Sequence, residues 1–113
     1  MKRLWLAALV VSTPAWAKVS KGMKAPAFSV PTLKGPPLAL AALSGHVVVV
    51  DFWAQWCEPC KRELPELDKL QKELGGKVTI VTINIDKDRG NADKLTSTLG
   101  LALPVGLEAA TLV

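Results

Sequence analysis

Phe52-Trp53-Ala54-Gln55-Trp56-Cys57-Glu58-Pro59-Cys60-Lys61 holds the only two cysteines of the 113-residue chain and two of its four tryptophans. It joins a very apolar run to an amphipathic one. Upstream stand four consecutive valines, then Asp51, Phe52 and Trp53. These are β-branched and aromatic with no polar alternation, which predicts a central strand over residues 47–53, buried on both faces of a parallel sheet. Asp51 stands out as a carboxylate in that strand, either exposed at its end or partly buried and functional. Downstream, Leu64, Leu67, Leu70 and Leu74 recur at helical spacing and predict a helix over residues 59–74. Pro59 suits its first turn, where a missing N–H costs nothing. Pro65 should kink it, and Gly75-Gly76 should end it.

Further downstream, Val78, Ile80, Val81, Ile83 and Ile85 interleave with Thr79, Thr82 and Asn84, a second strand over residues 77–85. A polar loop follows at residues 86–90. Asn91 can cap a short helix over residues 92–99, with Gly100 past its end. Leu103-Pro104-Val105 suits a short extended piece. Upstream of the valines, residues 25–30 suit an extended segment bounded by Pro26 and Pro31, and Gly35-Pro36-Pro37 a turn. Leu38, Leu40 and Leu43 suit a short turn of structure packed on the core, ended by Ser44-Gly45. Strand, helix, strand, helix, short strand is an α/β order. The cysteine pair lies at the carboxyl end of a parallel strand, where open α/β sheets place their sites.

Residues 1–17 read as an export signal. Lys2 and Arg3 precede an apolar stretch at residues 4–11, Ser12-Thr13-Pro14 breaks it, and Ala15-Trp16-Ala17 is a small-x-small cleavage site. The stretch is short of the roughly 20 residues a spanning helix needs. Cleavage after Ala17 would leave a domain over residues 18–113, with a polar lead-in over residues 18–24. An uncleaved segment would instead anchor it to the membrane. Both outcomes place the domain outside the cytoplasm, in the periplasm of a bacterium with two membranes, where disulfides persist. The formal charge of +4 includes Lys2 and Arg3. The remainder is mild, no basic run is present, and nucleic acid is excluded as a partner. Half the residues are hydrophobic, enough for one domain with a core.

Two cysteines separated by two residues can exchange disulfides, bind a metal or form a structural bridge. For exchange, the thiolate is the reactive form. Cys57 would sit at the amino end of the helix, where unpaired N–H groups and the dipole stabilise negative charge. It is the expected attacking residue. Cys60, one turn further in, is the expected resolving residue, closing the Cys57–Cys60 disulfide to expel a bound substrate. Pro59 stiffens the intervening loop. The Glu58 carboxylate works against the thiolate and leans the couple toward a reductant. For metal, one C-x-x-C supplies two ligands where a closed zinc site needs four, and the only histidine, His46, reads as an exposed polar residue. A soft-metal site for copper on the two sulfurs remains the alternative.

Trp53-Ala54-Gln55-Trp56-Cys57-Glu58-Pro59-Cys60-Lys61 resembles the thioredoxin superfamily, and within it the exported TlpA/ResA-like thiol–disulfide oxidoreductases. Gly22-Met23-Lys24-Ala25-Pro26-Ala27-Phe28 resembles the family's opening G-x-x-A-P-x-F. Leu43-Ser44-Gly45 with the valine run resembles its L-x-G-K-x-V-V-V lead-in, with His46 at the usual Lys. Residues 81–86 resemble its second strand, ending V-N-x-D. The resemblance implies a thioredoxin-like α/β fold, a central sheet flanked by helices. It implies no cofactor beyond the redox-active Cys57–Cys60 disulfide. Asp51 matches the buried carboxylate that takes and returns the proton of the resolving cysteine. Trp56 would pack against the site and shape the surface met by a partner, and Trp53 would be core. The implied partners are disulfide-containing periplasmic proteins, such as apocytochromes c, other oxidoreductases and copper-centre assembly factors, with electrons supplied by a membrane thiol transporter.

The family pattern continues with a cis-proline loop facing the dithiol, an antiparallel strand pair and a final helix. Here Leu103-Pro104-Val105-Gly106-Leu107 resembles the segment preceding that loop. The expectation is an incomplete domain lacking the strand pair and last helix, with an unpaired apolar edge along residues 47–53 or 78–85. Such a chain alone would be poorly stable and weakly active, in the extreme an inactive remnant.

Overall fold

The computed structural model describes residues 20–107. The expected export signal and its cleavage site lie outside the described residues. Short strands β1 (Ser29–Val30) and β2 (Leu38–Ala39) pair antiparallel, and a 3-10 turn follows at Leu40–Leu43. Then come β3 (Val47–Trp53), α1 (Glu58–Leu74), β4 (Val78–Asn84), α2 (Arg89–Leu99) and β5 (Val105–Leu107). β3, β4 and β5 form one parallel sheet in that order. Each parallel neighbour is reached through a helix, as parallel pairing requires.

Register determines which residues share a face. β3 and β4 pair along their full length, from Val47 against Val78 to Trp53 against Asn84. Val47, Val49, Asp51 and Trp53 therefore share a face with Ile80, Thr82, Asn84 and Val105. On this face Trp53 and Val105 pack with Leu64 of α1 and Ala92 and Leu95 of α2. Trp53 and Leu64 are fully enclosed, and burying side chains of this size contributes about 1.5–3 kcal/mol each. Val48, Val50 and Val81 face the other way, against Val30, Leu38, Phe28 and Leu43. Among the described residues, then, both helices cover one face and the β1–β2 hairpin with its 3-10 turn covers the other.

Among the described residues the apolar run at residues 47–53, expected as the central strand, lies at the edge of the three-stranded sheet. β4 is central, with five consecutive buried residues from Ile80 to Asn84. β3 pairs only with β4 among the described residues, and Val47 (65%), Val49 (40%) and Phe52 (54%) are exposed. An apolar run reports what a strand could bury, whereas its place in the sheet depends on distant pairing. Of the two strands expected to carry an unpaired edge, it is β3. Leu70, in the expected α1 stripe, is also exposed.

The local signals place the element ends closely. α1 starts one residue before the expected Pro59 and continues through Pro65 as one helix. Gly75 caps it with φ 57°, a conformation that favours glycine. α2 begins earlier than expected, because Asp88 and not Asn91 caps it: the Asp88 carboxylate accepts from the Gly90 N–H at 2.8 Å. β5 reaches only as far as Thr82 on β4. Beyond it, the Gln71 side chain of α1 substitutes for a strand. Its amide donates to the Val78 carbonyl at 2.9 Å, and its oxygen accepts from the Ile80 N–H at 2.6 Å.

β5 also bonds back to the chain leaving β1, with Leu33 N–H donating to the Val105 carbonyl and Leu107 N–H to the Pro31 carbonyl. This closeness depends on Gly106. A Cβ there would stand 2.8 Å from Val30 Cγ2 and 3.4 Å from the Thr82 carbonyl oxygen. Gly106→Ala is expected to destabilise the chain by about 1–3 kcal/mol, measured as a lower urea midpoint with unchanged slope.

Candidate active site

β3 ends at Trp53, and the chain turns at once into α1. Ala54, fully buried, accepts a hydrogen bond through its carbonyl from the Cys57 N–H at 3.1 Å. Cys57 is the N-cap of α1, with extended backbone (φ −92°, ψ 97°). Its Sγ accepts from the Cys60 N–H at 3.3 Å. The sulfur thus occupies the position of a capping oxygen, facing the orphan donors of the first turn. Cys57 and Cys60 are joined in a disulfide, their Cα atoms 5.3 Å apart. Both are partly exposed, so a partner can reach the bond.

The flanking residues behave differently from one another. Trp53 is buried, as expected of core. Trp56 is 72% exposed. It is thus largely open to solvent next to Cys57 in the chain, where the expectation was that it packs against the site and shapes the surface met by a partner. Pro59 lies in the first turn of α1. Glu58 does not oppose the sulfur as an isolated charge, because Lys61 Nζ pairs with its carboxylate at 2.9 Å. Both ends of that pair contact solvent, so it contributes little to stability, but it offsets the charge assigned to Glu58.

Asp51 lies two residues before Trp53 on the helix-covered face. Its Oδ2 is buried and without a hydrogen-bond partner. The neighbouring Thr82 turns its hydroxyl the other way and donates to the Pro104 carbonyl at 2.9 Å. Desolvation holds the Asp51 carboxyl above its ordinary range, and the charge of Glu63 adds to the effect. Glu63, one turn beyond Cys60, carries no role in the sequence reading. Its signal was available: the i, i+3 spacing from Cys60 puts both on one side of α1.

Pro104 does not face the dithiol. It lies beside β4 on the side away from β3, its carbonyl accepting from the Thr82 N–H at 3.0 Å. Two strand spacings, about 10 Å, separate that side from β3. No peptide among the described residues is cis. His46 is exposed and has Gly76 O 3.3 Å from its Nδ1. Among the described residues no three His, Cys, Asp or Glu side chains group as a metal site would require, and no helix is long and apolar enough to cross a membrane.

Comparison with known proteins agrees with this geometry. The sequence pattern of the AhpC/TSA family matches residues 21–111. The thioredoxin-like protein YneN of Bacillus subtilis is 36% identical over 77% of this chain and 53% of its own length. The thiol-disulfide oxidoreductase ResA of Geobacillus kaustophilus is 33% identical over 80% of this chain and 52% of its own. The chain thus spans about half the length of these curated relatives. Among solved structures, a thiol:disulfide interchange protein of the thioredoxin family from Chlorobium tepidum superposes with a TM-score of 0.73 at 31% identity, covering 85% of this chain and 67% of that one. A secreted Mycobacterium tuberculosis disulfide oxidoreductase gives 0.65 at 32% identity, covering 73% and 60%.

The raised Asp51 pKa has a signed consequence. A carboxyl whose folded pKa exceeds its unfolded one favours folding when protonated, and that contribution is lost as pH rises through the folded value. Asp51→Asn is therefore expected to be more stable than the parent at pH 7. The gain should shrink as pH falls from Asp51's raised value toward the ordinary carboxylate range. Urea midpoints measured across that window check it, and a gain independent of pH would refute the assignment.

Proposed function

The chain belongs to the AhpC/TSA family, and on that premise we propose that it is a thiol–disulfide oxidoreductase domain exchanging disulfides with protein substrates through Cys57 and Cys60. One observation carries the reading: a disulfide whose outer sulfur caps the amino end of a helix, partly open to solvent beside an exposed tryptophan. A capping sulfur is stabilised as thiolate by the helix donors.

In the reduced protein the Cys57 thiolate attacks a substrate disulfide. One substrate sulfur leaves as thiolate and takes up a proton, and Cys57 is held in a mixed disulfide. Cys60 then loses its proton and attacks Cys57 Sγ. This releases the second substrate thiol and closes the Cys57–Cys60 bond. The substrate gains two electrons and the protein loses them. Asp51, whose carboxyl is held above its ordinary range by desolvation and by the charge of Glu63, accepts the Cys60 proton and returns it on re-reduction. The dithiol is itself the redox group, and no further cofactor enters.

The working direction is reductive. Glu58 now argues for this only weakly, since Lys61 offsets its charge. The signal-like residues 1–17 support export, cleavage after Ala17 and a periplasmic domain over residues 18–113. There the substrates are disulfide-bearing proteins, apocytochromes c awaiting haem among them, and a membrane thiol transporter supplies electrons. The secreted mycobacterial relative is consistent with export.

Insulin-disulfide reduction with an external dithiol tests the core of the proposal. Cys57→Ser is expected to lower the rate by more than about 100-fold. Cys60→Ser should accumulate a mixed disulfide with the substrate, visible on a non-reducing gel. Undiminished activity in Cys57→Ser would overturn it. A midpoint potential more oxidising than that of glutathione would overturn the reductive direction alone.

A further inference from the structure

The turn that presents Cys57 is held from one side by a polar clamp. Asp86, just past the end of β4, accepts through Oδ2 from the Gln55 N–H at 2.8 Å and from the Asn84 side-chain amide at 2.8 Å. The Asn84 carbonyl oxygen accepts in return from the Asp86 N–H at 3.0 Å. Asn84 is 1% exposed and lies level with Trp53 in the sheet register. Its amide nitrogen is 3.5 Å from the Trp53 carbonyl oxygen, which accepts from the Ile85 N–H at 2.9 Å.

We propose that Asp86, oriented by Asn84, is a positioning residue for the dithiol, fixing the turn at residues 54–57 so that the Cys57 sulfur stays at the helix N-cap. The proposal rests on the exchange reading above and adds residues that reading does not use. Gln55 is the one residue of the turn whose N–H points to a side chain on another element. The Ala54 carbonyl is already engaged by the Cys57 N–H, and Ala54 itself has no freedom to move within the core. Removing the Asp86 carboxylate leaves the Gln55 N–H without its acceptor and the Asn84 amide with only the Trp53 carbonyl at 3.5 Å, and a part-buried donor without an acceptor seeks another. The turn can then rotate at Gln55 and Trp56. In the reduced protein, with no disulfide to hold it, the Cys57 sulfur drifts from the Cys60 N–H. The thiolate loses the donor that stabilises it, and its reactivity at neutral pH falls. A bond made by the charged carboxylate is stronger than one from a neutral acceptor, which suits a clamp on a turn this short.

The test is iodoacetamide alkylation of the reduced full chain as a function of pH, with hydrogen exchange at the Gln55 amide. Asp86→Ala is expected to slow alkylation at pH 7 about three- to tenfold, by shifting the profile upward. Asp86→Asn, which keeps an oxygen acceptor, should return the rate to within about twofold of the parent. Asp93→Ala, the same charge change at an exposed site on α2, should leave it unchanged. An unchanged rate in Asp86→Ala, or a loss that Asp86→Asn does not rescue, overturns the proposal. Should Asp86→Ala not fold, the parent still decides: the Gln55 amide must exchange more slowly than the Trp56 amide, and equal rates overturn the clamp. Insulin reduction by the parent is scored separately. Its absence removes the exchange reading, while alkylation still reports whether the clamp governs the Cys57 thiol.

Discussion

The seven-residue parallel ladder between β3 and β4 is the constraint on which the rest depends. It sets Trp53 level with Asn84 at the carboxyl end of both strands. The chain leaving β3 becomes the cysteine turn, and the chain leaving β4 becomes the loop that carries Asp86. A slip of one residue would send Trp53 and Asp51 to the opposite face. It would also part Asn84 and Asp86 from the turn they bond. The Gln71 side chain serves the same end, occupying β4 backbone groups that β5 is too short to reach.

The site combines a strong local device with a weakly satisfied surrounding. Cys57 is set at the N-cap by the strand-to-helix turn and by Pro59 in the first helical turn, a turn that is bonded from outside only by the Asp86 carboxylate among the described residues. Asp51 is different. Its buried oxygen finds no partner, and Glu63 adds a like charge. A buried polar group left unpaired is costly. Asp51 stands in a strand otherwise built of valine and aromatic residues. Trp53 likewise buries Nε1 without a partner, so the core beneath the dithiol is packed for shape more than for polar satisfaction.

The exposed β3 edge is the counterpart of this arrangement. Val47 and Val49 share the helix-covered face with Trp53, yet α1 and α2 do not reach over them. An apolar strand with one unpaired edge favours association with other chains. The relatives are about twice as long as the portion matched here.

The dithiol, the α/β order, both ends of α1 and the end of α2 were legible in the sequence because each is a local matter, whereas the start of α2 was not, Asp88 and not Asn91 being its cap. Two cysteines at fixed spacing, a leucine period, and glycine at 75 and 100 act within a turn or two of chain. Asp51 was legible as an anomaly, since a carboxylate among valines has few ordinary explanations. Two things were decided only by the tertiary structure. The first is that β4 lies between β3 and β5 among the described residues: both long strands are apolar enough for that position, and the choice rests on pairing between segments far apart in sequence. The second is the clamp. Asp86 reads as one more polar loop residue until the ladder brings its carboxylate within 2.8 Å of the Gln55 N–H, 31 residues away. Hydrogen bonds of that separation have no period and no spacing, so composition and pattern carry no trace of them.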